Sequence, residues 1–130
     1  MYQIQKNGYG YKLTFSDFIS AEEMKCWADD SKITLQNHYG KFGVLVDMRT
    51  LKPLNSEAQE IMVSGQKVFK EKGMERSAVI LSSALVTGQF KRLAQSSGIY
   101  QWERYIDAST HPDFEKKAED WIRFGSDPDK

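Results

Sequence analysis

The chain has 130 residues, of which 40% are hydrophobic and 28% charged, the length and balance of one ordinary globular domain. Lysine plus arginine equals aspartate plus glutamate at 18 each, so no net field favours nucleic acid or an anionic membrane as partner. A single cysteine rules out an internal disulfide and suits a reducing compartment. No segment approaches the roughly 18 apolar residues of a membrane span, and the first residues lack the apolar core of a signal peptide. We therefore expect a cytoplasmic protein without a membrane span.

The first residues have the pattern of a β-hairpin. Tyr2 and Ile4 alternate with glutamines, and Asn7-Gly8 supplies the residues that a tight turn favours. A second alternating segment follows over residues 9–16. Period-two alternation predicts strands with one packed face and one wetter face, so the second strand is expected near an edge of the sheet.

A helix is predicted next, because a capping box precedes it. Ser20 and Glu23 have the spacing at which each side chain bonds the backbone N–H of the other. Ile19 and Met24 stand on either side of this cap, and Trp27 continues the apolar stripe begun by Met24. The helix is expected to end at residues 37–40.

The rest of the chain alternates strands with helices. The predicted strands, rich in apolar or β-branched residues, cover residues 42–46, 78–81 and 103–107, the last being shorter and more polar. The predicted helices are 57–72, a second opened by Ser82 or Ser83 and ended by Gly98, and a third opened by Thr110 and Pro112.

The predicted order is therefore ββαβαβαβα. It indicates an α/β fold with a mixed, mainly parallel five-stranded sheet, an N-terminal antiparallel hairpin strand and four helices on the faces of the sheet. One domain is expected over residues 1–125, and the polar residues 126–130 are expected to form a flexible tail.

Sequence features of catalysis and of metal binding are missing. The only GxG pattern, at residues 8–10, lies in the hairpin rather than between a strand and a helix. His38 and His111 have no second ligand at metal spacing, and acidic residues surround Cys26, which disfavours a thiolate. We therefore predict no catalytic residues, no metal, no cofactor and no enzymatic activity.

One edge of the predicted sheet gathers polar residues. In open α/β sheets, ligand and partner sites lie at the carboxyl ends of the parallel strands and at the helix N-termini that follow them. The candidate residues at that edge are Asp47, Arg49, Asn55, Ser56, Glu57 and Ser83.

Two stretches of the chain are GVLVDMRTLKPLNSEAQ, residues 43–59, and SAVILSSALVTGQFKRLAQSSGIYQWERYID, residues 77–107. Both resemble the STAS domain, the fold of the bacterial anti-sigma-factor antagonists. The resemblance extends over most of the chain. It implies a regulatory domain that binds a protein partner, such as an anti-sigma-type serine kinase that phosphorylates a serine. Asn55-Ser56-Glu57-Ala58 stands where the family has Asp-Ser-Ser-Gly, which indicates a divergent branch of unknown function.

Ser56 therefore has two interpretations. Serine is among the best N-cap residues, and Gln59 follows at capping-box spacing, so Ser56 is explained as a cap worth about 1 kcal/mol. The resemblance makes the same serine a phosphorylation site on the partner-binding edge. Glu57 would oppose a phosphate there, because like charges at close range repel.

Two hypotheses of function follow from the sequence. The first is a non-enzymatic STAS-like interaction domain that binds a protein through the edge around residues 47–57. The second is a binder of a small apolar or amphipathic, lipid-like ligand held between sheet and helices. Its basis is the set of large apolar residues on inward faces, Met24, Trp27, Met62, Phe69, Phe90 and Trp121. Self-association into a homodimer through an uncovered edge strand or an apolar helix face is left open.

Overall fold

The computed structural model describes all residues from 1 to 130. Its strands are β1 (Tyr2–Lys6), β2 (Gly10–Asp17), β3 (Phe42–Leu51), β4 (Met74–Leu81) and β5 (Glu103–Asp107). Its helices are α1 (Ala21–Leu35), α2 (Ser56–Lys72), α3 (Ala84–Ser97) and α4 (Phe114–Phe124), with a short 3₁₀ turn at Tyr100–Trp102. The predicted order of elements is confirmed.

The five strands form one sheet in the order β1-β2-β3-β4-β5. β1 and β2 are antiparallel, and every later pair is parallel. Each crossover moves one strand further in the same direction, and because such crossovers are right-handed, their helices lie on the same face. Accordingly α2 contacts both α1 and α3, whereas α4 packs against β3, β4 and β5. The predicted α/β fold is confirmed, and none of its helices is long and apolar enough to cross a membrane.

Two hydrophobic cores lie on the two faces of this sheet. The larger core has 24 buried residues and lies between the sheet and helices α1 to α3, and a smaller core of seven lies under α4. Trp27 stacks on Phe69 in the larger core, with ring centroids 6.0 Å apart. A Cβ at Gly65 would overlap the Trp27 ring, so this glycine permits the close approach of α1 and α2.

Strand β3 is longer than the predicted 42–46. Thr14 of β2 lies opposite Asp47, and Ser16 lies opposite Thr50, so β3 carries one extra residue at a bulge. Pairing with β4 ends at Asp47, and the later residues pair with β2 alone. The sequence indicated a loop there because the apolar run ends at Asp47 and Pro53 follows. Asp47 thus lies within the strand rather than after it.

The predicted starts of the last two helices have different outcomes. For α3, the Ser83 hydroxyl accepts the Val86 N–H at 3.2 Å, which confirms one of the two predicted caps. For α4, the prediction that Thr110 and Pro112 open the helix was wrong. Thr110 is held in a turn, since its N–H donates to the carbonyl of Asp107, and the helix begins only at Phe114.

The C-terminal residues 126–130, predicted as a flexible tail, are held mainly through Asp127. Asp127 accepts two hydrogen bonds from the guanidinium of Arg104 on β5, at 3.0 and 3.1 Å. That guanidinium lies 4.2 Å from the centre of the Trp121 ring. The tail therefore contacts the sheet beside β5.

Candidate functional site

The carboxyl ends of the parallel strands form one edge of the molecule, which we call the C-terminal rim. All six predicted site residues lie at this rim, but on two faces. Asp47 and Arg49 lie on the face that α4 covers, because Arg49 stands over Phe114 of α4. Asn55, Ser56, Glu57 and Ser83 lie at the starts of α2 and α3, on the other face. No hydrogen bond or ion pair joins the two groups.

Asp47 and Arg49 hold the bulge of β3. The Asp47 carboxylate accepts the Arg49 backbone N–H at 3.1 Å and two guanidinium bonds at 3.0 and 2.8 Å. Partial burial acts to raise the pKa of Asp47, but the hydrogen bonds and charge of Arg49 outweigh it and lower that pKa. Because the carboxylate's acceptor sites are largely occupied by its own neighbour, this pair has mainly a local structural role.

The N-cap of α2 is Asn55, so the interpretation of Ser56 as the cap was wrong. The Asn55 side chain accepts the Ala58 N–H at 2.8 Å, and Ser56 is the first residue of the helix. Gln59 donates its amide to the carbonyl of Leu54 at 2.9 Å instead of completing a capping box with Ser56. Asparagine caps as well as serine, and here it stands one residue earlier. The Ser56 hydroxyl is exposed and makes no hydrogen bond within the chain.

A buried glutamine, which the sequence analysis missed, fixes the start of α2. Gln89 of α3 accepts the Leu54 N–H at 2.9 Å and donates to the Leu54 carbonyl at 3.1 Å. Both residues are buried. The signal was present in the sequence, since Gln89 follows Val86 by three residues on the inward stripe of α3. A polar side chain at such a position needs a buried partner.

Three exposed apolar side chains also lie at the rim. Phe18 follows β2, Pro53 follows β3, and Leu85 stands in the first turn of α3. Phe18 is 56% exposed and Leu85 is 64% exposed. Exposed apolar side chains grouped at one edge can supply the centre of a partner-binding surface. Ile33, Tyr39, Trp102 and Phe124 are exposed elsewhere on the molecule.

A second polar cluster lies inside the larger core. Glu103 belongs to β5, which was predicted as a shorter, more polar strand. It is buried and accepts hydrogen bonds from Ser77 and Tyr105, both at 2.7 Å. Burial raises the pKa of the Glu103 carboxyl. Glu103 and Gln66 line a cavity of about 30 Å³ between α2 and the sheet. That volume suits one or two water molecules.

Comparisons with known proteins give no name to this arrangement. No protein-family model matches the chain, and no curated protein matches it. No group of three or more His, Cys, Asp or Glu side chains lies close enough together to hold a metal ion. The function is therefore inferred from the geometry of the rim.

The two residues at the start of α2 should differ in their effect on stability. We expect Asn55→Ala to lower the free energy of unfolding by about 1 kcal/mol, because the Ala58 N–H loses its acceptor. Ser56→Ala is the matched control and should change it by less than about 0.3 kcal/mol, because the hydroxyl has no partner. Urea denaturation measures both. If Ser56→Ala lowered the free energy of unfolding more than Asn55→Ala, the N-cap would be Ser56 and not Asn55.

Glu103 should make stability depend on pH. Because burial raises its pKa above the ordinary 4.5, the folded protein keeps this proton to a higher pH than the unfolded chain does. The contribution of Glu103 to the free energy of unfolding is therefore fully present below pH 4.5 and is lost as pH rises towards the folded-state pKa.

The variant Glu103→Gln keeps the shape of the side chain and removes the titration. As pH rises above 4.5, we expect the free energy of unfolding to fall more for the wild type than for this variant. Urea denaturation at several pH values gives both curves, and the remaining titratable groups are common to the two proteins. Parallel curves would mean that Glu103 titrates normally.

Proposed function

We propose that the chain is a non-enzymatic, STAS-like interaction domain of bacterial signalling that binds a protein partner through the C-terminal rim. The observation that carries the proposal is the exposure of Phe18, Pro53 and Leu85 at the same edge as the free hydroxyl of Ser56. Apolar side chains supply the desolvated centre of an interface, and polar groups around them supply its rim. The starts of α2 and α3 offer both within one surface.

Ser56 is the proposed point of regulation, with an anti-sigma-type serine kinase as the partner class. An exposed hydroxyl without an internal partner is accessible to a kinase. A phosphate in the first turn of α2 would lie at the positive end of the helix dipole. Glu57, also exposed, opposes that charge, so Ser56 is a weaker anion site than a first turn without an acid. The single cysteine, Cys26, is a free, exposed thiol, which supports the proposed cytoplasmic location.

The arrangement of polar groups at the rim supports a non-enzymatic role. Asp107, Ser109 and His111 lie together after β5, a combination that could suggest a nucleophile and its base. The Ser109 hydroxyl donates to the Asp107 carboxylate at 2.5 Å, whereas the His111 Nδ1 contacts the Asp107 carbonyl and the Thr110 hydroxyl. Nucleophilic catalysis requires a hydrogen bond between the nucleophile and its base. Ser109 and His111 do not form one.

The hypothesis of a lipid-like ligand has less support than the hypothesis of protein binding at the rim. A site for such a ligand has a volume of several hundred cubic ångströms, while the cavity between α2 and the sheet measures about 30 Å³. Binding would require α2 to move away from β3 and β4, which would separate Trp27 from Phe69. The closed interior therefore gives more support to the protein-binding hypothesis than to the ligand-binding one.

Site-specific photocrosslinking tests the proposal in cells that naturally make the protein. A benzophenone amino acid replaces Phe18 or Leu85 at the rim, and replaces Tyr39 as the control. Tyr39 is 90% exposed but precedes β3, at the opposite edge of the sheet. We expect crosslinked partner protein from positions 18 and 85 and none from position 39.

A crosslink from position 39 alone, or none from any position, would contradict binding at the rim. Intact mass of the uncrosslinked protein from the same cells reports a phosphate on Ser56. If positions 18 and 85 crosslink but Ser56 carries no phosphate, regulation by a kinase is contradicted and protein binding at the rim still stands.

A further inference from the structure

The outer edge of β5 has unpaired backbone groups. β5 pairs only with β4, and the Ala108 N–H just beyond the strand donates to the Leu81 carbonyl of β4 at 2.8 Å. Alternate residues of a strand point their backbone groups to the same side, so those of Ile106 also face β4. The N–H and C=O of Tyr105 and the N–H of Asp107 consequently point outward. The Asp107 carbonyl already accepts bonds from the turn that follows.

A groove runs along this edge between β5 and α3. It consists of two adjoining depressions, of about 410 and 370 Å³, which share Lys91 and Tyr105. Thr87 and Gly88 of α3 line the first of them. A Cβ at Gly88 would meet nothing within 4 Å, so the helix leaves open space over the edge. The space and the free backbone groups together are what an added strand requires.

The charges in the groove select the partner's chemistry. Arg104 is paired with Asp127 at 3.0 Å and lies 3.9 Å from Asp129, and the Asp107 carboxylate accepts both the N–H and the hydroxyl of Ser109. Lys91 lies 5.6 Å from the centre of the Tyr105 ring and has no carboxylate within ion-pair distance. The ammonium group of Lys91 is therefore the positive charge in the groove without an ion-pair partner, and it favours an acidic side chain in a bound peptide.

We propose that β5 is a docking edge for an extended peptide segment, which adds to the sheet as a sixth strand and places an acidic side chain against Lys91. The strand would bond the outward groups of Tyr105 and the N–H of Asp107. Its side chains would alternate between the α3 side and the side of Arg104 and the tail. This edge adjoins the rim at Ser83 and Asp107, but the groups that would bond the added strand are not those the proposed function uses, so the inference goes beyond that function and does not rest on it.

Selection from a phage-displayed library of random decapeptides on the full-length protein provides the probe. Enriched peptides should carry an acidic residue, and the synthesised peptides should slow amide exchange at Tyr105 and Asp107 in NMR spectra. Gly88→Leu fills the groove with a good helix former, and we expect it to weaken binding at least about tenfold. Gly88→Ala is the matched control and should retain the affinity within about twofold. Lys91→Glu should weaken the acidic peptides as well.

Three results would overturn the proposal. One is that no peptide is enriched, or that the enriched peptides bind Gly88→Leu as tightly as Gly88→Ala. Another is that the protected amides lie around Ser56 instead, which assigns peptide binding to the rim. The third is a dimer, seen by sedimentation, that Gly88→Leu dissociates, because a second copy would then occupy the edge. The crosslink from position 18, which follows β2 and lies far from β5 in the sheet, is unaffected by any of these results, so the two proposals fail separately.

Discussion

The stepwise advance of the parallel crossovers in one direction is the constraint on which the remaining architecture depends. Because α1, α2 and α3 each join neighbouring strands in that direction, they share one face and bury one large core. The same connections bring the carboxyl ends of β2, β3, β4 and β5 to one edge. Phe18, Pro53 and Leu85, which belong to three different connections, are thus brought to a single rim.

Helix α3 links the two surfaces to which we assign binding. Its buried Gln89 holds Leu54 directly before the cap of α2, and its first turn contributes Leu85 to the rim. Its outer side, with Gly88 and Lys91, borders the free edge of β5. The two sites therefore adjoin along one rigid element.

Much of the fold was predictable because its signals are local. The Asn7-Gly8 turn between alternating segments indicated the hairpin, and Ser20 with its stripe of Met24 and Trp27 indicated α1. The predictions failed where a tertiary contact decides the outcome. Asn55 and Ser56 are equally good caps in isolation, and the Gln89 bonds to Leu54 help to position the first of them.

The candidate site was predicted only in part for the same reason. The six residues do lie at one edge, since the ends of parallel strands must meet there. Asp47 lies on the face of α4 because side chains alternate along β3 and Leu45, two residues earlier, packs in the core under α4. The inward orientation of Glu103 in a short polar strand was likewise set by its neighbours Ser77 and Tyr105.

Amide hydrogen exchange on the protein purified with its bound partner, compared with the free protein, tests the central claim most directly. The account predicts slower exchange over residues 52–58 and 83–87, at the starts of α2 and α3, with residues 36–41 at the opposite edge unchanged. Protection confined to residues 36–41 or to α4 would contradict binding at the C-terminal rim.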